Sequence, residues 1–281
     1  MLVTSDRGMP RQRLALVLDR ARHLYPSSDF RRLRAALTAK TGIEIGGPSG
    51  VFQNANRWPL YAVIGHLDVL DFAPATIWTA ASPGPLPPIG RRIVGEATAM
   101  AEVASASYDF VFASHVLEHL ANPIKGLAEW QRVLKPGGIL VLVVPHRDAT
   151  FDHRRAVTTM EHLRSDELSD VGEDDATHLD EILELHDLGR DPEAGDPASF
   201  AQRARSNLQH RALHHHVFLT QTLLTLVDAM RMDVIFLDHS LPHHICLAAR
   251  TGTGTPQNSG YLASAASWRR SSPFPSDRRQ P

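Results

Sequence analysis

Residues 108–145 read YDFVFASHVLEHLANPIKGLAEWQRVLKPGGILVLVVP, and the two ends of this stretch decide the architecture. Tyr108 to Ala113 is an apolar run of strand length, and Ile139 to Val144 is a continuous β-branched and aliphatic one. Between them Leu117, Leu120, Leu127, Trp130, Val133 and Leu134 recur at helical spacing, which predicts a helix over Val116 to Leu134, stopped by Lys135-Pro136-Gly137-Gly138. Strands that are apolar without alternation are buried on both faces, and strands that alternate with helices wind into a parallel sheet. The expected fold is therefore α/β, a doubly wound and mostly parallel sheet.

Working outward, apolar residues recur helically between Pro10 and Lys40, broken at Pro26-Ser27-Ser28-Asp29. This predicts two helices, the second capped by Ser28 or Asp29. Strands are expected at Gly42 to Ile45, at Leu67 to Phe72 and, more briefly, at Arg92 to Val94, with a proline-rich loop over Ala81 to Gly90. Downstream, His146 to about His210 is acidic, dotted with histidine and without a strand signal, too long for a plain connection; it reads as a helical insertion. Val217 to Met230 then predicts a helix, and Asp233 to Asp238 and His244 to Ala249 an antiparallel strand pair. The expected division is N-terminal helices at 1–40, a core at 41–145, the insertion at 146–215, the last helix and strand pair at 216–250, and a tail at 251–281. The tail, rich in Gly, Ser, Pro and Arg, is expected to be mostly disordered.

Bulk properties narrow the function. The chain of 281 residues has a net charge of -2 and no basic stripe, so there is no electrostatic case for nucleic acid or an anionic membrane. No run approaches the roughly 18 apolar residues of a membrane span. The N-terminal stretch lacks the apolar core of a signal peptide, and a soluble, cytoplasmic protein is expected. The single cysteine, Cys246, excludes a disulfide framework and reads as a small buried hydrophobe.

The stretch TGIEIGGPSGVF at 41–52 places glycines directly after a strand. Glycines there let a ligand touch the main chain, and such a turn at the carboxyl end of the first strand of a doubly wound sheet is where nucleotides dock. The pattern departs from a dinucleotide fingerprint, because Pro48 occupies a glycine slot and PSGVFQNANRWP makes a poor first helical turn for pyrophosphate.

Taken in order, GIEIGGPSG, VLDFAP, GEAT, YDFVFASHVLEHLANP and RVLKPGGILVLVVP resemble the motifs of class I S-adenosylmethionine-dependent methyltransferases, in particular the small-molecule, type 11-like group whose fourth strand runs into an "LEH" segment. The resemblance covers Ile43 to Pro145. It implies a seven-stranded Rossmann-like methyltransferase fold, with the insertion as a substrate lid, and S-adenosyl-L-methionine as cofactor, released as S-adenosyl-L-homocysteine. Carried over residue by residue, it places Glu44 near the methionine amino group, Gly46 and Gly47 beside the amino-acid part, and Ser49 and Gly50 in continuation. The family's middle glycine is Pro48 here, which offers no N–H donor. Asp71, with Asp68 as the alternative, would take the ribose hydroxyls. Glu96 and Ala97 would receive the adenine, and Ser114 and His115 would line the sulfonium end.

Methyl transfer from a sulfonium needs alignment, exclusion of water and sometimes a base, but no metal. The acidic residues beside His178 and His186 in HLDEILELHD read as a solvated face, and no metal ligand is assigned. Histidine titrates near neutrality, so His115, His153 and His216 are the candidate general bases, while His119 reads as structural. Phe151, Asp152 and Arg154 after the fifth strand, with Trp58 and Trp78 in loops, are the candidate substrate contacts. The DNA-type and amide-type asparagine-proline-proline-tyrosine motif is absent, which favours an oxygen or nitrogen of a small molecule. Family habit suggests secondary-metabolite, or antibiotic, biosynthesis in the style of actinobacterial natural products. A catalytically silent cofactor-binding partner subunit and an NAD-dependent oxidoreductase are the alternatives. The sequence is compatible with a homodimer and does not specify the oligomeric state.

Overall fold

A computed structural model describes residues 26–53, 56–76, 89–252 and 254–279. Seven strands form one sheet: β1 (Thr41–Ile45), β2 (His66–Asp71), β3 (Ile89–Val94), β4 (Tyr108–Ser114), β5 (Leu134–Pro145), β6 (Met232–Ser240) and β7 (His244–Thr251). Their order is β3-β2-β1-β4-β5-β7-β6. The first five are parallel, and β7 runs antiparallel to both β5 and β6. This is the doubly wound, Rossmann-like methyltransferase fold.

Side-chain alternation splits the core in two. On one face Ile43, Val111, Leu140, Leu142 and Leu247 pack against α2 (Pro123–Val133) and α7 (Thr220–Ala229) through Leu127, Trp130, Leu223 and Leu224. On the other face Val69, Phe110, Phe112, Val141 and Cys246 meet Phe30, Leu33 and Leu37 of α1 (Ser28–Leu37), together with Trp58 and Leu60. Each of these side chains is buried, contributing about 1.5–3 kcal/mol relative to exposure. Gly42 is fixed by this packing, since a Cβ there would meet the Phe110 ring at 2.2 Å.

Several local expectations are corrected. The cap of α1 is Ser27, whose side chain accepts from the Phe30 amide at 3.1 Å. The continuous helix expected over Val116 to Leu134 splits into a 3-10 turn, Leu117–His119, and α2. The break has a cause at Pro123: it disfavours helical geometry at Asn122 and suits the first turn, so Asn122 becomes the cap and accepts from the Lys125 amide at 3.0 Å. The Lys135-Pro136-Gly137-Gly138 stop is itself the start of β5, which pairs Leu134 with Tyr108. β3 begins at Ile89, inside the expected loop. The helix expected before Ser27 lies outside the described residues.

The insertion carries α3 (Met160–Leu168), α4 (Leu179–Leu185), α5 (Pro197–Arg205) and α6 (Asn207–His210), with a small core of its own around Ile182, Phe200, Ala204 and Leu213. The tail overturns the expectation of disorder. It forms α8 (Ser259–Leu262), α9 (Ser267–Ser271) and α10 (Pro275–Arg279), and buries Trp268 and Phe274 against the α7 side of the core. Asp277, fully buried, accepts from Thr220 Oγ1 at 2.7 Å and Ser272 Oγ at 2.6 Å, and its other oxygen lies 3.2 Å from His146 Nε2. The groups it meets at Thr220 and His146 lie 57 and more positions away in sequence, which is why composition alone misjudged the segment.

Candidate functional site

The strand order reverses between β1 and β4, and open α/β sheets place ligands at that switch point, outside the carboxyl ends of the strands. A cavity of about 540 Å³ opens there. Its walls include Gly46, Pro48, Ser49 and Gly50 after β1, Asp71 and Phe72 after β2, Glu96 and Ala97 after β3, and Ser114 and His115 at the end of β4.

The turn after β1 is built on Glu44, which does not line the cavity. Its buried carboxylate accepts from the Ser49 amide (3.0 Å), the Ser49 hydroxyl (2.5 Å) and the Tyr61 hydroxyl (2.5 Å). Burial, only partly offset by these donors, pushes its carboxyl up to about 7. Glu44 therefore braces the loop from beneath. Gly47 is equally internal, since a Cβ there would fall 2.3 Å from the Glu44 carboxyl carbon. Gly46 does wall the cavity, at φ +68° with its amide donating to Leu70 O at 2.8 Å. A Cβ on Gly50 would meet nothing within 4 Å, so the loop leaves open room beside the main chain.

Asp71 is half-buried at the tip of β2. Its Oδ1 accepts from the Phe72 amide at 3.0 Å, and Oδ2 has no donor among the described residues. Burial raises its pKa. Asp68, the alternative, is committed elsewhere: it accepts from Tyr108 Oη at 2.6 Å, from Arg91 Nε at 3.0 Å and from the Arg91 amide at 2.8 Å, away from the cavity. Glu96 lines the cavity but both its oxygens face Arg211, at 2.9 and 3.3 Å. Arg211 also reaches Glu173 at 2.9 Å and stands over the Phe72 ring at 5.4 Å. Glu173 and Arg211 belong to the insertion and line the cavity, so the insertion closes one side of it. Neither was singled out in the sequence, because nothing local distinguishes them from surface charge.

At the end of β4, His115 has φ 54°, an uncommon left-handed conformation, with its amide donating to Val143 O at 2.8 Å. Its Nδ1 lies 3.2 Å from Glu118 Oε1 and its Nε2 2.9 Å from His244 Nδ1. Burial opposes ionisation of Glu118, but the His115 contact and the neighbouring imidazoles outweigh it and hold the carboxyl at about 2. Burial moves His119, also on the cavity wall, down to about 4 and His244 well below its ordinary value. An ionised carboxylate only accepts, so Nδ1 of His115 donates to Glu118, and with both rings neutral its Nε2 accepts from His244 Nδ1. That leaves His244 Nε2 as the lone-pair nitrogen at the end of the line.

The remaining predicted residues scatter. Trp58 lines the cavity, with Nε1 donating to Asp238 Oδ2 at 3.1 Å and its ring edge-on to His244. Trp78 lies outside the described residues. His153 is turned to Asp187 (2.8 Å), His216 is buried against Ala121 O (3.3 Å), and neither lines the cavity. Burial holds His216 well below its usual range. Phe151 stacks on His186, Asp152 meets His214 Nδ1 at 2.5 Å and Arg155 at 3.0 Å, and Arg154 reaches Asp187 at 3.5 Å. These three build the joint between β5 and the insertion rather than the cavity wall.

The chain is similar in part to known proteins. The family described as "Methyltransferase domain" matches residues 44–142. A curated relative, the malonyl-[acyl-carrier protein] O-methyltransferase of Laribacter hongkongensis, is 32% identical over 87 residues, 31% of this chain. The match spans about a quarter of that protein, 25% of its length. Among solved structures, a SAM-dependent methyltransferase from Methanosarcina mazei is 18% identical, covering 82% of this chain and 99% of that one at a TM-score of 0.47. The 1,6-didemethyltoxoflavin-N1-methyltransferase of Burkholderia thailandensis, solved with bound 1,6-didemethyltoxoflavin and S-adenosylhomocysteine, is 13% identical, covering 86% of this chain and 87% of that one at a TM-score of 0.43.

Proposed function

We propose that this chain, which carries at residues 44–142 a methyltransferase domain of the class I, S-adenosylmethionine-dependent type, transfers a methyl group to an oxygen or nitrogen of a small molecule. The observation that carries the reading is the cavity itself. One space brings the open glycine turn, the carboxylate of Asp71 and His115 together with His244, from the opposite end of the chain.

The residues present fit the cofactor. Gly46, Pro48, Ser49 and Gly50 offer a main-chain wall without side-chain obstruction at Gly50, suited to the amino-acid end. The open Asp71 Oδ2 suits a ribose diol, which needs an acceptor. Ala97 and Phe72 provide apolar surface for a base, while Glu96 works with Arg211 as a pair rather than as a lone acceptor. When bound, the cofactor supplies an electrophilic methyl on a sulfonium. Ser114 and His115 sit where that end would lie, and Glu118 orients His115, which in turn orients His244. His244 Nε2 is then placed to take a proton from an acceptor hydroxyl or ammonium, and the low affinity of its buried ring for a proton keeps it in the accepting form at neutral pH. Arg211 and Glu173 of the insertion exclude water from the far wall.

The size of the cavity and its partial closure by the insertion support a small-molecule acceptor, with the insertion as its lid. Tailoring of a secondary metabolite remains the biological setting that the sequence resemblance supports, and no helix among the described residues is long and apolar enough to cross a membrane. The test is a calorimetric titration with S-adenosylmethionine, S-adenosylhomocysteine and NAD, followed by transfer of labelled methyl to a panel of hydroxylated and amino-bearing small molecules. Binding of both adenosyl ligands with label transfer supports the reading. Binding of NAD alone refutes it, and binding without any transfer favours a silent partner subunit.

A further inference from the structure

Histidines that have no part in the cavity converge behind it. His162 lies in the first turn of α3, His178 directly precedes α4, and His216 stands at the entry to α7. One ring nitrogen of each lies within 4.8 Å of the others. His162 Nε2 and His178 Nε2 are 3.0 Å apart. Asp166, one turn beyond His162, places Oδ2 at 3.4 Å from His162 Nε2 and 3.8 Å from His216 Nε2.

The hydrogen-bond accounting of this cluster does not close. Asp166 Oδ2 and His216 Nδ1 are both buried without a hydrogen-bond partner. His216 is 1% exposed and Asp166 9%. Orphaned polar atoms at such depth are uncommon; His216 Nε2 is taken by Ala121 O at 3.3 Å, so Nδ1 is the nitrogen of His216 left to face a ligand. A tetrahedral ion of the zinc type holds nitrogen and oxygen donors at about 2.0–2.2 Å, so its donor atoms stand about 3.3 Å from one another. The His162–His178 and His162–Asp166 distances of 3.0 and 3.4 Å bracket that value, and a ring nitrogen of His216 stands within 4.8 Å of the other two imidazoles.

We propose that His162, His178, His216 and Asp166 form a binding site for one divalent transition-metal ion of the zinc type. Three imidazoles and one carboxylate suit borderline ions and do not suit magnesium or calcium, which prefer an all-oxygen shell. Four protein ligands close the coordination shell, the pattern of a structural rather than a catalytic ion. The ion ties α3 and the start of α4 to the chain entering α7. The His216 amide donates to Glu118 O at 3.2 Å, and Asn122 Nδ2 donates to Asp166 O at 3.1 Å, so the site backs onto the turn that carries Glu118. The histidines of HLDEILELHD thus part company: His178 joins this cluster, whereas His186 pairs with Asp191 at 3.1 Å.

The proposal is independent of the methyltransferase reading and is tested without an activity assay. Untagged protein of residues 1–281, stripped with a chelator, is titrated with Zn²⁺ by calorimetry and with Co²⁺ by absorption spectroscopy. One equivalent per chain, a tetrahedral Co²⁺ spectrum and a Zn²⁺-dependent rise in Tm are expected. His162→Ala, His178→Ala and the isosteric Asp166→Asn should each weaken Zn²⁺ binding by more than about 100-fold and remove the Tm rise, since even supporting residues cost 10–100-fold. His244→Ala should bind as the unaltered protein does. Failure of the stripped protein to bind Zn²⁺ overturns the proposal. So does loss of binding in His244→Ala with retention in the folded Asp166→Asn protein, which would move the ion to His115, His243 and His244.

Discussion

Replacing Asp71 with alanine tests the site most directly. Asp71 offers the cavity one carboxylate oxygen, Oδ2, because Oδ1 is held by the Phe72 amide at 3.0 Å. A hydrogen bond to a charged acceptor contributes about 1.5–3 kcal/mol, and removing the partner also strands the ligand's hydroxyls in a half-closed cavity. The expected weakening of S-adenosylmethionine binding is therefore about 10- to 160-fold at 25 °C. Asp68→Ala is the internal control. Its carboxylate holds Tyr108 and Arg91, so its loss should lower Tm while leaving the Kd of the folded protein within about threefold. Calorimetric titration of both variants with S-adenosylhomocysteine, alongside thermal unfolding, separates the two effects. An unchanged Kd for a folded Asp71→Ala protein, or a large Kd change for Asp68→Ala, would refute the assignment of the ribose acceptor.

Three further outcomes follow. Because Glu44 has its pKa raised to about 7 from an unfolded value near 4.5, the native state binds the extra proton between these values. Its contribution to stability is full below pH 4.5 and is lost as pH rises through 7, so Glu44→Gln should flatten the decline of unfolding free energy across that window by about 3 kcal/mol; an unaltered pH profile sinks this account. Once an acceptor is found, His244→Ala should reduce kcat by about 10²- to 10⁴-fold with cofactor Kd unchanged, and a fall in cofactor affinity equal to the fall in kcat would instead make the ring a cofactor contact. Trp268→Ala should destabilise the protein by about 3–5 kcal/mol in chemical denaturation, and a value under 1 would mean that the tail does not share the core.

The strands, the faces they bury and the glycine turn were legible in the sequence because each rests on local pattern. Apolar runs at 108–113 and 139–144 leave no other period to read, and Gly46 after a strand needs only its neighbours to declare a turn. Pro123 was equally local, yet the helical spacing around it masked the break it enforces.

What only the tertiary structure decided is which polar groups meet. His115 finds His244 from 129 positions away, and Arg211 finds Glu96 across 115. Such pairs follow from the fold, in which β7 lies next to β5 and the insertion meets the segment after β3, and no periodicity records either. The tail is the same case in apolar form. Trp268 and Phe274 stand isolated among serines and arginines, with no repeat to announce a buried face, and they become core because His146 and His239 offer them ring surfaces beside the buried cluster. Backbone hydrogen bonding and side-chain period act within a few residues and can be read along the chain, whereas desolvated charge and long-range burial have their partners set by the fold.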